Sequence, residues 1–214
     1  MKKFVALLAT GLVAASAQAG LVDSFGLATT NWSHNLTLDK FDSSLGTLTG
    51  VTFTYSGLVT STFKGESLDA APSVVSLNAG AALVFGPVVS QSLNIAGTQT
   101  VSLSAFDGTI DFGGTSGFTG ITVSNSNSGS FSSSLAGLLA SLTGNAGDTF
   151  SVGVTATGNS NGSGAGNLLT QIETQAQATL EVAYQFRPNQ VPEPGALALV
   201  GLALAGLALT RRKA

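Results

Sequence analysis

The chain contains no cysteine, a single histidine, a single tryptophan and two tyrosines, and only 9% of its residues are charged. Without cysteine there is no disulfide framework, thiol nucleophile or thiolate metal site. With His34 as the sole histidine, a histidine-rich metal centre is excluded. A catalytic triad would also need a nucleophile and an orienting acid that nothing around His34 identifies. Two tyrosines and one tryptophan leave little for an aromatic platform of the kind that stacks on sugars. These absences argue against an enzyme and imply no cofactor.

Among 214 residues there are 27 glycines, and serine and threonine recur throughout. Scarce charge with many small and β-branched residues suits an all-β domain. The formal net charge is −3, but five of the eight basic residues (Lys2, Lys3, Arg211, Arg212 and Lys213) lie near the two ends. Removing those five and Glu193 leaves ten acids against Lys40, Lys64 and Arg187 between Gly20 and Gln190, a net of −7. An acidic body of this kind lacks the basic patches that neutralise phosphates, which excludes nucleic acid as a partner.

The first nineteen residues read as a secretory signal peptide. Lys2-Lys3 form the charged start, Phe4 to Ala15 the apolar stretch, and Ala17-Gln18-Ala19 an A-x-A site, so cleavage by signal peptidase would expose Gly20. Residues 20–190 then form the exported domain. Trp32, His34, Leu36 and Leu38 alternate with polar residues as in a half-buried strand. A turn over Asp42 to Gly46 and a strand from Val51 to Gly57 follow. Further strands are expected at Val59 to Phe63, Val74 to Phe85, Val88 to Ile95, Val101 to Phe106, Ile121 to Val123 and Phe150 to Ala156. Leu135, Leu138, Leu139 and Leu142 have helical spacing, which predicts one short helix within Ser132 to Leu142. Asn159 to Asn167 reads as a flexible loop.

In the last strand, Ile172, Ala176, Ala178, Leu180, Val182, Tyr184 and Phe186 share one face and a row of glutamines and glutamates the other. One dry and one wet face belong to an antiparallel sheet. The expected fold is a jelly-roll-like antiparallel β-sandwich with one short helix. The candidate chemistry is confined to Asp107-Gly108-Thr109-Ile110-Asp111-Phe112-Gly113-Gly114. Asp107 and Asp111 are oxygen donors of the kind Ca²⁺ accepts, but the stretch lacks the EF-hand spacing. Asp-Gly is also a hairpin signal, and the turn is the favoured reading, with no metal held. Asp42 and Asp69 are read as turn acids too.

After a linker from Arg187 to Gln190 the chain ends in Val191-Pro192-Glu193-Pro194, an uncharged run over residues 195–210, and Arg211-Arg212-Lys213. As a helix, Ala196 to Leu209 spans about 21 Å, short of a hydrocarbon core of about 30 Å unless Thr210 and snorkelling basic side chains extend it. The basic triplet would stay cytoplasmic and place the body across the membrane.

The Pro-Glu-Pro motif, the short apolar run and the basic cluster together resemble the PEP-CTERM sorting signal of Gram-negative bacteria. The resemblance covers residues 191–214 and implies a precursor held in the inner membrane and facing the periplasm. It further implies removal of the signal by an exosortase and delivery to the cell surface or exopolysaccharide matrix, a biofilm setting. Phe41-Asp42-Ser43-Ser44-Leu45-Gly46-Thr47-Leu48, Asp107 to Gly114 and Gly166-Asn167-Leu168 resemble choice-of-anchor E domains, surface domains of uncharacterised function. A proline common in that pattern is replaced here by Ser43. A structural or adhesive protein is the reading that results, with a carbohydrate-binding module second and a secreted hydrolase third. Mature protein isolated from its native source is expected to begin at Gly20 and to end near Pro192 to Pro194. Intact-mass measurement checks this, and retention of the leucine-rich tail in most molecules would refute it.

Overall fold

The computed structural model of the chain describes residues 16–17 and 20–189. Residues 1–15, 18–19 and everything from Gln190 onward, including most of the expected signal peptide and the stretch 195–210 expected to cross the membrane, lie outside the described residues. In chain order the strands are β1 (Ser16–Ala17), β2 (Leu21–Thr29), β3 (Trp32–Asp39), β4 (Phe41–Asp42), β5 (Gly46–Ser67) and β6 (Ser73–Phe85). They continue with β7 (Gln91–Leu103), β8 (Gly117–Ser133), β9 (Thr143–Gly144), β10 (Thr149–Gly158), β11 (Asn161–Ser163) and β12 (Leu168–Pro188). One α-helix, α1 (Ala136–Ser141), and a 3₁₀ turn (Ser43–Leu45) complete the described elements.

Two five-stranded antiparallel sheets face each other. In the first, β2 and β1 lie along one edge of β12, and β5 and then β8 along the other. In the second, β3 pairs with β10, β10 and β11 with β6, and β6 with β7. Taking only the long strands, the orders are β2-β12-β5-β8 and β3-β10-β6-β7. That is first-eighth-third-sixth against second-seventh-fourth-fifth, the interleaving of a jelly roll with two Greek keys. The expected sandwich is therefore the observed one. A short parallel pair, β4 with β9, ties the 3₁₀ turn to the end of α1.

The first sheet is built on one ladder. β5 and β12 pair from Gly46↔Pro188 to Ser67↔Leu168, and a strand of 22 residues is about 70 Å long. Val51, Phe53, Val59 and Phe63 on β5 and Ala176, Ala178, Leu180 and Val182 on β12 point inward and are buried. Their outward neighbours are mostly threonine, glutamine and glutamate. The separate strands expected at Val51 to Gly57 and Val59 to Phe63 are thus one. Gly57 does not break it: a Cβ there would lie 2.1 Å from Leu83 Cδ1 and 2.8 Å from Ile95 Cδ1, so the glycine admits the facing sheet. Likewise β7 runs through Gly97, and the expected strands Val88 to Ile95 and Val101 to Phe106 are corrected to one over Gln91–Leu103. Val89 belongs to the turn before it and Phe106 to the loop after it.

The apolar interior divides into two clusters, a larger one around Phe53, Leu83, Leu180 and Tyr184 and a smaller one around Phe63, Leu77 and Phe118. Between them runs a polar belt. Ser61 and Thr174, opposite each other on β5 and β12, are buried with their hydroxyls 3.0 Å apart. Ser160 lies 2.8 Å from Ser61 Oγ and 2.7 Å from Thr174 Oγ1 and accepts from the Gly80 N–H at 2.9 Å. A buried hydroxyl without a partner is costly, and here each is satisfied by the others. Asn159 to Asn167 is accordingly not a free loop, since it places Ser160 in the interior and β11 against β6.

The sheets are stapled at both open edges by side chains. On one, the Asn125 amide donates to Ala96 O, and Asn127 Nδ2 donates to Asn94 O at 3.1 Å, joining β8 to β7. On the other, the Thr37 N–H donates to Asp23 Oδ2 at 2.7 Å, joining β3 to β2. Two rings, one buried and one half-buried, also join the sheets: Tyr184 Oη donates to Asp39 O at 2.8 Å and Trp32 Nε1 to Ala176 O at 3.3 Å. Burial, and then the nearby Asp39 charge, raise the Tyr184 hydroxyl above the usual tyrosine range and keep it a donor. The helix is shorter than its pattern. Leu142 is buried and Leu138 and Leu139 pack on the core, but Leu135 stands before the helix and is 71% exposed.

Replacing Leu180 by alanine is expected to cost about 2–5 kcal/mol, and Ser160→Ala about 1–3 through the partners left unpaired. Gln177→Ala on the wet face should cost well under about 1 kcal/mol. Urea melts of the three variants check the order, and equal losses at Leu180 and Gln177 would refute the facing of β12.

Candidate functional site

The sequence candidates gather at the end of the sandwich where β5 finishes and β12 begins. Leu103 ends β7 in one sheet and Gly117 begins β8 in the other, so the intervening loop crosses between sheets and closes this end. The Asp-Gly hairpin expected here is corrected to that crossing. Within it, the Thr109 N–H donates to Asp107 Oδ1 at 3.1 Å and the Gly113 N–H to Asp111 Oδ1 at 2.8 Å. Both aspartates therefore accept from amides two residues on, the local turn role open to a short carboxylate.

Asp69 organises the same end. Its carboxylate accepts from the Gly166 N–H at 2.7 Å and the Asn167 N–H at 2.9 Å, and its carbonyl accepts from the Phe106 N–H at 2.9 Å. Asp69, expected to be a local turn acid, thus ties Gly166-Asn167 to Phe106, the residue that leads into Asp107 to Gly114. Beneath the loop lies Glu66, fully buried. Ser116 Oγ donates to its Oε1 at 2.6 Å, while Oε2 has no partner. Gly117 is obligatory beside it, because a Cβ there would lie 2.5 Å from Glu66 Oε2 and 2.4 Å from Gly113 O. Sequence reasoning missed Glu66, since a lone acid at the end of a strand looks like a solvated one. Among the described residues no three histidine, aspartate or glutamate side chains lie close enough to hold a metal ion.

His34 lies on the exposed margin of β3, its ring stacked on Phe25 at 4.2 Å. Phe25 in turn meets Trp32 edge-on at 4.7 Å. The histidine extends an aromatic seam along the β2–β3 edge. Sequence reasoning also missed that Gly158-Asn159-Ser160-Asn161-Gly162 has the spacing of a nucleophile elbow. Here it turns from one strand into another and bonds the half-buried Ser160 into the hydroxyl belt, so the serine does not project as an elbow nucleophile does.

The outer face of the first sheet carries most of the remaining polar surface. Thr52–Ser132 and Thr60–Ser124 are hydroxyl pairs across β5 and β8, each at 2.9 Å. A shallow depression of about 490 Å³ in this face is lined by Ser56, Leu58, Ser126, Ser128, Gln177 and Thr179 among others.

Of the export residues, Gly20 is exposed and Ala17 pairs with Gln185 in the short β1–β12 ladder. Ala19, Val191, Pro192, Glu193, Pro194, Arg211, Arg212 and Lys213 lie outside the described residues. The expected linker is shorter than its sequence implies. Arg187 and Pro188 are paired with Thr47 and Gly46, and Asn189 donates from its N–H to Leu45 O at 3.3 Å and from Nδ2 to Ser44 O at 3.0 Å. The ordered body therefore reaches to Asn189. Among the described residues no helix is long and apolar enough to cross a membrane.

Residues 190–213 match the PEP-CTERM protein-sorting motif. The motif implies export, a membrane-anchored precursor and processing by an exosortase. No curated protein matches the chain. Among solved structures, that of the infectious bursal disease virus Gx strain is 14% identical over 95% of this chain and 52% of the other, with a TM-score of 0.12. The infectious bursal disease virus VP2 subviral particle is 13% identical over 89% of this chain and 49% of the other, with a TM-score of 0.14. This chain thus spans about half the length of each.

Asp69→Ala is expected to cost about 1–2 kcal/mol by freeing two amides from a charged acceptor. The midpoint of residues 20–190 should be the same with EDTA and with millimolar calcium. A calcium-dependent rise, abolished in Asp107→Asn with Asp111→Asn, would make this loop a metal site.

Proposed function

We propose that the chain is a non-enzymatic exported protein that exosortase releases to the cell surface or exopolysaccharide matrix, where its β-sandwich serves a structural or adhesive role. The PEP-CTERM motif at residues 190–213 carries the reading. On this view residues 1–19 are removed by signal peptidase after passage through the secretion machinery, residues 20–190 are the working body and residues 191–214 are the address. The body is further proposed to be of the choice-of-anchor E kind. That part of the proposal rests on the sequence resemblance of Phe41 to Leu48, Asp107 to Gly114 and Gly166-Asn167-Leu168.

A second reading, binding of carbohydrate in the matrix, is favoured by the hydroxyl and amide face around Gln177, Thr179, Ser56 and Ser128. Uncharged donors and acceptors in regular rows suit the hydroxyls of a neutral polysaccharide. The reading as a secreted hydrolase has no comparable support, because the only histidine stacks on Phe25 and the elbow-like serine is bonded to Ser61 and Thr174.

Deleting the exosortase gene is expected to leave the full tail on the chain and hold it in the membrane fraction, with the matrix fraction depleted. Normal appearance in the matrix of a strain lacking exosortase would refute the sorting reading. A glycan array with the purified body separates the roles. Binding to neutral glycans that is lost in Gln177→Ala with Ser128→Ala would replace the purely structural role with the carbohydrate-binding one.

A further inference from the structure

The outer face of the first sheet carries a line of short hydroxyl side chains that crosses every long strand. Ser24 on β2 pairs with Thr179 on β12, Thr179 with Ser56 on β5, and Ser56 with Ser128 on β8. We propose that this line is the seat of a linear, uncharged polysaccharide, held by its interior and lying across the strands. The inference rests on the carbohydrate-binding reading. It adds how the chain lies, which part of the polymer is recognised, and Ser24 as a contact.

Side-chain height turns the line into a trough. Its members are short, and the flanking rows are taller: Glu181 with Val22 on one side, Gln177 with Leu58 on the other. The depression of about 490 Å³ lies here, lined by Thr179, Ser56 and Ser128 from the line and by Gln177 and Leu58 from the taller row. Farther along the strands the hydroxyls are already bonded to each other, Thr52 to Ser132 and Thr60 to Ser124, each at 2.9 Å. Between those two rows Ser56 and Ser128 stand opposite each other with no such bond among the described residues. Their hydroxyls are left to bond a ligand.

Charge and spacing select the occupant. No member of the line is charged, and neither is Gln177 or Leu58. Glu181 turns its carboxylate over Gly20, where an added Cβ would strike it, and so away from the line. Hydroxyls and an amide, each both donor and acceptor, suit a ligand that is itself a row of hydroxyls. Adjacent strands lie about 4.8 Å apart, so the line runs for about 14 Å. That step is close to the rise of one sugar in an extended β-linked chain, so successive sugars can meet successive strands. Val22 and Leu27, on either side of Ser24 along β2, are 61% and 46% exposed and offer apolar contact to sugar rings. β2 and β8 are the margins of the sheet, so no further strand closes either end of the line. A trough open at both ends admits the middle of a polymer, and a single sugar would fill only part of it.

Calorimetry of the full chain in zwitterionic detergent, against neutral cello-, manno- and xylo-oligosaccharides of increasing length, tests this. At least one series is expected to bind, with affinity rising up to about four sugars, one for each strand crossed, and then levelling. Ser24→Ala with Ser56→Ala should weaken binding about tenfold through the loss of two hydrogen bonds. Thr60→Ala with Ser124→Ala, farther along the same strands, should leave it unchanged. Both variants should melt with the parent, since all four side chains lie on the outer face. Full affinity in the first variant, or equal losses in both, would overturn the proposal alone, as would affinity already complete with a single sugar. Binding of glycans on the array but of no linear series would do the same. Binding of no series and of no array glycan would remove the carbohydrate reading and the proposal together.

Discussion

Everything in this molecule depends on the pairing of β5 with β12. The ladder joins residues more than a hundred positions apart, from Gly46↔Pro188 to Ser67↔Leu168, and supplies the two central strands of its sheet. Contacts of such sequence separation must close a long loop before they are rewarded, so folding is expected to be slow and to hinge on register. A slip of one residue would turn Phe53, Leu180 and Tyr184 to solvent and the glutamine row to the interior. The alternation is strict enough along both strands to forbid that slip. An irregularity at Gln185/Phe186 pins the ladder near one end, and one at Phe63/Gly65 interrupts the neighbouring β5–β8 ladder near the other.

A sandwich this long, with no disulfide, has to keep its two sheets from sliding by other means. The interior supplies part of the answer through the hydroxyl belt of Ser61, Thr174 and Ser160, which fixes one level of the first sheet against Gly80 of the second. Polar groups in such a place weaken the core relative to apolar packing but allow one alignment only, because any shift leaves hydroxyls unpaired. The edges supply the rest. Asn125 and Asn127 on one side and Asp23 on the other occupy backbone groups that would otherwise face solvent. Bonds across an open margin also make it a poorer template for another chain's strand.

These devices mark where the sequence was legible and where it was not. Trp32 to Leu38, Val74 to Phe85 and Ile172 to Phe186 alternate cleanly, and all three are strands. The part of β8 after Val123 was invisible because Asn125 and Asn127 stand where apolar residues would sit in an ordinary strand. Their partners are carbonyls of the other sheet, which no local pattern contains. Gly57 and Gly97 read as breaks, yet both stay extended within their ladders. The loop from Asn159 looked free because nothing in its composition reveals that Ser160 is turned inward. At the candidate site, the aspartate turns were legible from Asp-Gly spacing. The joining of that loop to Gly166-Asn167 through Asp69 was not, for it depends on tertiary closure alone.

The topology also decides how the body can be presented. In this arrangement the first long strand, β2, lies antiparallel to the last, β12, so the start of one lies beside the end of the other. Leu21 pairs with Val182, and β12 ends six residues later at Pro188 against Gly46. The β1 rungs at Gln185 and Phe186 continue along that same margin. The described residues therefore begin and end at one end of the sandwich, and the sorting motif at residues 190–213 follows from there. The opposite end, closed by the loop after Leu103 and held by Asp69, is the end a tethered body would project away from its membrane. Asp69, Asp107 and Asp111 are gathered at that far end, while the broad hydroxyl face runs along the outside of the first sheet.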